Sequence, residues 1–230
     1  MSNIIVIYQP WGGLGDNLQF STLPKLYSEL GYDVYISVSN VYRNPEIYDI
    51  VWKNNPYIKG ISDLTPNAGS CKGCDYISQH YIKNIELSHS ITHGTEKYPM
   101  IYYTPKKIES LYNTIIYDTT STSSTYSDDF IKTRFTSILE QYSNCEKKQI
   151  YFKKIQNRII PELQTDMMEV DDIYHYCDII FSCKAFICTF SGSAVLASAI
   201  KNNRSTPEIY CFHNKTEHIY IFDNIRYSFT

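Results

Sequence analysis

Two short segments carry residue types at spacings that suit chemistry. The first is Trp11-Gly12-Gly13-Leu14-Gly15-Asp16-Asn17. Its glycines let backbone approach a ligand closely, and its carboxylate, Asp16, stands where a helix should begin. There Asp16 can take a proton from a substrate hydroxyl. Capping the helix is an equally ordinary role for an aspartate at that place. Position 18 is Leu, so Gly13-x-Gly15 lacks the third glycine of a dinucleotide fingerprint, and the lysine of a P-loop is missing too. The second segment runs from Thr189 through Phe190-Ser191-Gly192-Ser193-Ala194-Val195 to Ile200. Small residues open a helix directly after an apolar run. The N–H groups of Gly192, Ser193 and Ala194 are expected to be unpaired there, with the Ser191 and Ser193 hydroxyls as added donors. A diphosphate suits such a helix start, and close packing of small residues on a sheet explains the same pattern.

Other residues are weaker candidates. Thr119 and Ser121 lie in a hydroxyl-rich loop after Asp118, which either binds phosphate or sugar or is a plain polar connection. Lys153 and Lys154 follow an apolar run, where a cation can neutralise phosphate, although most lysines are only solvated. Glu86 and His89 fall late in the first half and can contact sugar hydroxyls. Cys71-x-x-Cys74 with His89-x-x-x-His93 has zinc-like spacing. No ββα pattern accompanies it, so free thiols in a loop without bound metal are the first expectation, with a structural zinc site and a redox cysteine pair as the alternatives. Asp128-Asp129 and Asp171-Asp172 read as pairs at helix starts, where they suit the positive end of the helix.

The elements that must hold these residues alternate between strand and helix. Ile4 to Tyr8 is an apolar run of the kind buried on both faces of a parallel sheet. Leu23, Leu26, Tyr27 and Leu30 form a helical stripe, with Pro24 bending its first turns and Gly31 capping its end. Val34 to Val38 is the next strand. A short helix is expected over 46–52 and strands at 57–61, 75–78 and 100–103. A second start follows: a strand at 114–118, a helix from Asp128, a strand at 150–152, a helix from Asp171, a strand at 185–189, a helix at 192–200, and strands at 208–212 and 225–229. This order predicts an α/β protein of two Rossmann-like parallel-sheet domains facing a cleft, residues 1–110 and 111–230. The 230 residues give each domain an ordinary, small size.

Composition removes whole classes of function. With 43% apolar and 20% charged residues the chain is globular rather than disordered. A net charge of -3 leaves no basic field for nucleic acid. No apolar run is long enough to span a bilayer, and no signal-peptide pattern opens the chain. Seven scattered cysteines without an export signal point to a reducing, cytoplasmic setting. The 22 tyrosines read as compositional bias, because none of the segments above depends on them.

Leu14-Gly15-Asp16 followed by Leu23-Pro24, and later Ser191-Gly192-Ser193-Ala194 ahead of Leu196-Ala197-Ser198-Ala199, resemble the heptosyltransferase-like group of GT-B glycosyltransferases, glycosyltransferase family nine. The resemblance rests on two anchor motifs in the right order and is diffuse between them. It implies a minimal GT-B-like fold and inverting, metal-independent transfer of a sugar from a nucleotide-sugar to a hydroxyl of a glycan or lipid-linked saccharide, as in glycan biosynthesis. Asp16 would be the general base. Trp11, Gly12, Gly13, Gly15, Asn17, Glu86 and His89 would form the acceptor side. Thr119, Ser121, Lys153, Ser191, Gly192, Ser193 and Ala194 would hold the donor. No cofactor is implied beyond the nucleotide-sugar co-substrate, and a lipid-linked acceptor makes peripheral membrane association a further expectation. Phe190 and Val195 depart from the family, which usually has an acidic residue and a histidine there. A non-catalytic nucleotide- or glycan-binding relative is therefore an alternative, as is another two-domain sugar-phosphate enzyme such as an epimerase or a pyruvyl transferase.

Overall fold

The apolar run after Asn3 forms strand β1 (Asn3–Ile7), and its side chains Val6 and Ile7 are completely buried. The computed structural model describes residues 3–68, 81–92, 94–120, 126–154, 157–163, 166–213 and 221–229. They fall into two compact units, Met1–Tyr103 with His218–Phe222, and Thr104–Glu217 with Asp223–Thr230.

In the first unit β1 pairs in parallel with β2 (Tyr32–Ser37), and β2 with β3 (Ile58–Ser62). On the far side of β1, Ile7 forms a parallel bridge to Ala68. Flanked on both sides, β1 needs the apolar side chains it has. Between β1 and β2 the helical stripe divides into α1 (Leu14–Leu18) and α2 (Leu23–Glu29). Pro24 sits in the first turn of α2, where a missing N–H leaves no helical bond unmade, so it starts a helix rather than bending one. Leu23, Leu26 and Tyr27 face the core, whereas Leu30 is half-exposed. Gly31 ends the helix at φ +86°, in the left-handed region glycine tolerates best.

Three features of this unit differ from expectation. The short helix α3 (Pro45–Tyr48) runs on into a π-helical turn, Asp49–Lys53, which buries Trp52. Residues 81–88 form a helix, α4 (Tyr81–Ser88). Met100 to Tyr103 is not a strand. Prolines stand on either side of it at 99 and 105, and the Met100 N–H donates to Ser21 Oγ at 2.7 Å instead of to a sheet neighbour. The strand expected at 75–78 lies outside the described residues.

The second unit is a parallel sheet of six strands in the order β6-β5-β4-β7-β8-β9. They are β4 (Thr114–Asp118), β5 (Glu146–Phe152), β6 (Asp166–Val170), β7 (Ala185–Thr189), β8 (Glu208–His213) and β9 (Arg226–Phe229). From β4 the chain builds outward through β5 and β6, then returns to lay β7 on the other side of β4. The strand order therefore reverses between β4 and β7, and such a switch point opens a crevice at the carboxyl ends of the strands. Both central strands are buried along their whole length. β6 has no apolar run because it is an edge strand with mostly exposed residues.

Three helices join these strands: α5 (Asp128–Leu139), α6 (Ile173–Ser182) and α7 (Gly192–Lys201). Ser127 caps α5, accepting the Phe130 N–H, so Asp128 and Asp129 occupy the first turn rather than the cap. Asp172 caps α6 by accepting the His175 N–H at 2.7 Å. Asn224 fastens the last strand to α7, accepting the Ser198 hydroxyl and donating to the Ser198 and Asn202 carbonyls.

The core under α5 centres on Phe135, fully buried, edge-on to Tyr117 and tilted against Phe212. Removing that ring leaves a cavity the surrounding strands cannot close. Phe135→Ala should lower unfolding free energy by about 3–5 kcal/mol. Urea denaturation reads this directly, and a loss below about 1 kcal/mol would mean that the ring does not fill this core.

Candidate active site

In the first unit the carboxyl end of β1 runs into the turn that starts α1. Gly13 is the residue before the helix, with extended backbone and no side chain to cap it. Asp16, in the first turn, supplies the cap from inside: its Oδ2 accepts the Gly13 N–H at 3.1 Å. A Cβ on Gly13 would lie 2.5 Å from that oxygen, so the arrangement requires glycine. Capping and proton acceptance are thus not exclusive, since one oxygen caps and the other makes no hydrogen bond to the described residues. Burial raises the proton affinity of Asp16 above that of an ordinary carboxylate; the Gly13 N–H and the Arg43 charge oppose it. A half-buried carboxylate of this kind is suited to general-base work.

The turn is held from beneath. Asn17 is fully buried and donates to the Trp11 and Gly13 carbonyls while accepting from Trp52 Nε1 at 2.9 Å. Asn17, expected on the acceptor side, is corrected to a clamp under the turn because its amide is committed on both sides. Gln9 Oε1 accepts the Trp11 N–H, and the exposed Trp11 ring stands above. Gly12 faces Arg43, whose N–H donates to the Gly12 carbonyl at 2.9 Å. Gly15 is buried within α1.

Glu86 lies on α4 and His89 just past its end. Glu86 is fully buried beside the Thr22 hydroxyl, and a Cβ on Gly94 would collide with its carboxyl group. The Nδ1 of His89 lies 3.0 Å from the Tyr27 hydroxyl, and its ring is edge-on to Phe20 and Tyr27. Burial lowers its proton affinity, which favours the neutral ring. Cys71, Cys74 and His93 lie outside the described residues.

In the second unit the switch point is built around Asp118, at the end of β4 and only 1% exposed. Its Oδ2 accepts the Ser193 hydroxyl at 2.6 Å and the Tyr176 hydroxyl at 2.9 Å, and its Oδ1 accepts the Thr120 N–H at 2.8 Å. Burial still raises its proton affinity against these three bonds. The carboxyl group thereby ties the loop after β4 to the first turn of α7. In the sequence this loop stands out by its hydroxyls, and nothing local marks the carboxylate before them.

Several donors expected here are already engaged. The Ser193 hydroxyl proton goes to Asp118. The Ser193 N–H donates to Ser191 Oγ at 3.2 Å, and the Ala194 N–H to the Ser191 carbonyl at 3.1 Å. What remains at the helix start is the Gly192 N–H, which makes no hydrogen bond to the described residues, together with the Ser191 hydroxyl proton. Thr119 is corrected too: its hydroxyl is buried, donating to the Arg158 carbonyl and accepting from Gln149. Lys153 is paired with Asp171 at 2.7 Å and Glu169 at 2.9 Å, so its charge is already balanced by carboxylates. Ser121 lies outside the described residues. Of the two family departures, Val195 is a buried core residue of α7, and the Phe190 ring stacks on His213 with centroids 4.5 Å apart.

Among the described residues no group of three or more His, Cys, Asp or Glu could hold a metal ion, and no helix is long and apolar enough to cross a membrane.

No family model matches the sequence, and no curated protein matches it. Solved structures do match. The iron-containing dodecameric glycosyltransferase TibC from enterotoxigenic Escherichia coli H10407 superposes with a TM-score of 0.64 at 12% identity, covering 96% of this chain and 61% of TibC. TibC has also been solved in complex with ADP-D-β-D-heptose. A glycosyl transferase family 9 structure from Veillonella parvula DSM 2008 gives 0.64 at 8% identity, over 99% of this chain and 85% of that one. The E. coli heptosyltransferase WaaC, solved with ADP-2-deoxy-2-fluoro heptose, gives 0.57 at 8% identity, over 98% and 92%. The chain spans about three-fifths of the length of TibC. At these identities the likeness establishes the fold, a GT-B-like pair of parallel α/β units of the heptosyltransferase type.

The buried Glu86 yields a prediction about stability. Burial raises its folded-state pKa; the Thr22 hydroxyl and the Lys83 charge oppose this, and the Glu96 charge adds to it. A carboxyl group raised in the fold favours folding while it stays protonated. That contribution is complete below its unfolded-state pKa and is lost as pH rises through the folded-state value. Glu86→Gln should therefore match or exceed the wild type in urea midpoint at pH 8 and lose its advantage near pH 4. A variant less stable than the wild type at pH 8 would contradict the burial argument.

Proposed function

We propose that this chain is a glycosyltransferase that moves a sugar from a nucleotide-sugar to a hydroxyl of a saccharide acceptor. The observation that carries this reading is the Asp16 turn, a carboxylate with one oxygen anchored on Gly13 and the other available, within a fold of the heptosyltransferase type. In this reading the first unit takes the acceptor and the second takes the donor. Asp16 accepts the proton of the acceptor hydroxyl. The hydroxyl oxygen forms a bond to the anomeric carbon as the bond from that carbon to the diphosphate oxygen breaks, and a single displacement inverts the anomeric configuration. Negative charge grows on the departing diphosphate, where the Gly192 N–H and the Ser191 hydroxyl would stabilise it most in the transition state.

No step in this scheme calls for a metal ion. ADP-sugars are the first donors to try, because TibC and WaaC have been solved with ADP-heptose or its fluoro analogue. The described cysteines are free thiols, four of the five buried, which suits the reducing, cytoplasmic setting in this proposal. A glycan or a lipid-linked saccharide remains the acceptor class.

A second reading is a relative that binds nucleotide without turnover. It is favoured by the state of the donor side, where Lys153 is paired with acids and Thr119 is engaged. The two readings separate when the full chain is incubated with ADP-, GDP-, UDP- and dTDP-sugars and mixed saccharide acceptors. Release of nucleoside diphosphate matched by a new glycoside supports transfer. Binding without release supports the second reading, and the absence of both contradicts each of them.

Gly192→Pro tests the helix start specifically. Proline is tolerated at the first position of a helix, and the extended Ser191 before it suits a following proline. The change removes one N–H donor and little else. It should weaken nucleoside diphosphate binding about tenfold with an almost unchanged melting temperature. Unchanged affinity by calorimetry would place the phosphate elsewhere.

A further inference from the structure

Asp16 faces a physical conflict if it is to work as a base. Burial favours its neutral form, yet a base must begin its cycle ionised. The Gly13 N–H offsets part of this, but it is a neutral dipole on one oxygen only. The structure supplies a charge as well. Arg43 lies 27 positions away in sequence, yet it docks on the same turn: its N–H donates to the Gly12 carbonyl at 2.9 Å. A Cβ on Gly12 would sit 3.1 Å from Arg43 Cγ, so the absence of a side chain there lets the arginine stem lie along the turn. Its position is fixed from the other side by α3, where Asn44 Oδ1 accepts the Glu46 N–H at 2.9 Å and Pro45 opens the helix. The backbone that carries this exposed side chain is therefore held on both sides of Arg43.

Few other ionisable groups surround the turn among the described residues. α1 has none besides Asp16, and the loop before it brings only Tyr8. The segment that carries Arg43 also carries Tyr42, whose burial pushes its pKa up to about 12, so it is neutral. α3 and the π-helical turn bring Glu46, Tyr48, Asp49 and Lys53, of which Asp49 and Lys53 are paired at 3.1 Å. α2 brings Lys25, Tyr27 and Glu29, of which Lys25 is paired with Glu96 at 2.6 Å. Of these charges, Arg43 is the one that acts on Asp16.

We propose that Arg43 is a positioning residue for Asp16: docked on Gly12, its guanidinium keeps the carboxylate ionised and ready to accept a proton. The inference rests on the reading of Asp16 as the base, but its test needs no substrate. Carbon-13 carboxyl resonances of aspartate are titrated in the full chain, and the Asp16 signal is identified by its loss in Asp16→Asn. Arg43→Met should raise the Asp16 midpoint by about half a pH unit, the size expected of one partly solvated charge. Arg43→Lys should restore most of it. In 1 M NaCl the difference between wild type and Arg43→Met should shrink, since this charge is open to screening. In a transfer assay the acid limb of the kcat/KM profile should move in the same direction.

An Asp16 midpoint that stays within about 0.1 unit in Arg43→Met, or a difference that 1 M NaCl leaves intact, overturns the inference whatever the transfer assay shows. If the midpoint moves as expected but Asp16→Asn still transfers sugar, Arg43 acts on Asp16 electrostatically, yet both the base assignment and the positioning role fall.

Discussion

Parallel strands can return only by crossing over a face of the sheet, so their carboxyl ends gather along one edge, interleaved with helix starts. Those starts leave N–H groups without helical partners, and the edge must satisfy them with side chains or with ligand. Both candidate sites follow from this constraint. In the first unit Asp16 reaches back to the Gly13 N–H. In the second, Asp118 receives two hydroxyls and one N–H and joins β4 to α7. Each turn is stabilised by a carboxylate, and the groups left over are the ones available to a substrate.

The two carboxylates differ in how completely burial and hydrogen bonding commit them. Asp118 is fully enclosed, and its bonds come from three different elements. Removing it would leave Ser193 and Tyr176 with unmet hydrogen bonds inside the protein, a cost of about 1–3 kcal/mol for each group. Asp16 is only half-buried and commits a single oxygen. Its environment raises its proton affinity without locking both oxygens, which is the compromise a base needs. The start of α7 leaves few groups free. Most of the hydroxyls and N–H groups around α7 bond to one another, and the Gly192 N–H and the Ser191 hydroxyl proton are left.

Much of the fold was legible in the sequence because a buried parallel strand must be apolar along its length. Thr114–Asp118 and Ala185–Thr189 were readable from end to end for that reason. β6 was not, because an edge strand such as Asp166–Val170 has no such requirement. Met100–Tyr103 has the composition of a strand but stands between prolines and bonds to Ser21 instead of to a sheet. The two strand-to-helix turns were legible in the sequence, and the distant partners of their side chains were not. Asp118 meets Ser193 and Tyr176 across 75 and 58 positions, and no local pattern announces such a meeting. Arg43 and the Asn17–Trp52 clamp were hidden in the same way. The buried Glu86 looked like a sugar contact only because a glutamate in sequence carries no mark of its depth.

The proposed transfer depends on the Asp16 carboxylate removing the proton from the acceptor hydroxyl. Asp16→Asn keeps the size of the side chain and an oxygen for the Gly13 N–H, but loses the basicity. Glycoside formation per enzyme should be followed in wild type and variant with the same donor and acceptor, alongside donor affinity and melting temperature. The account predicts that transfer falls by a factor of about 10²–10⁴, with donor affinity and melting temperature nearly unchanged. Transfer within about threefold of wild type, against that expected range, would contradict it.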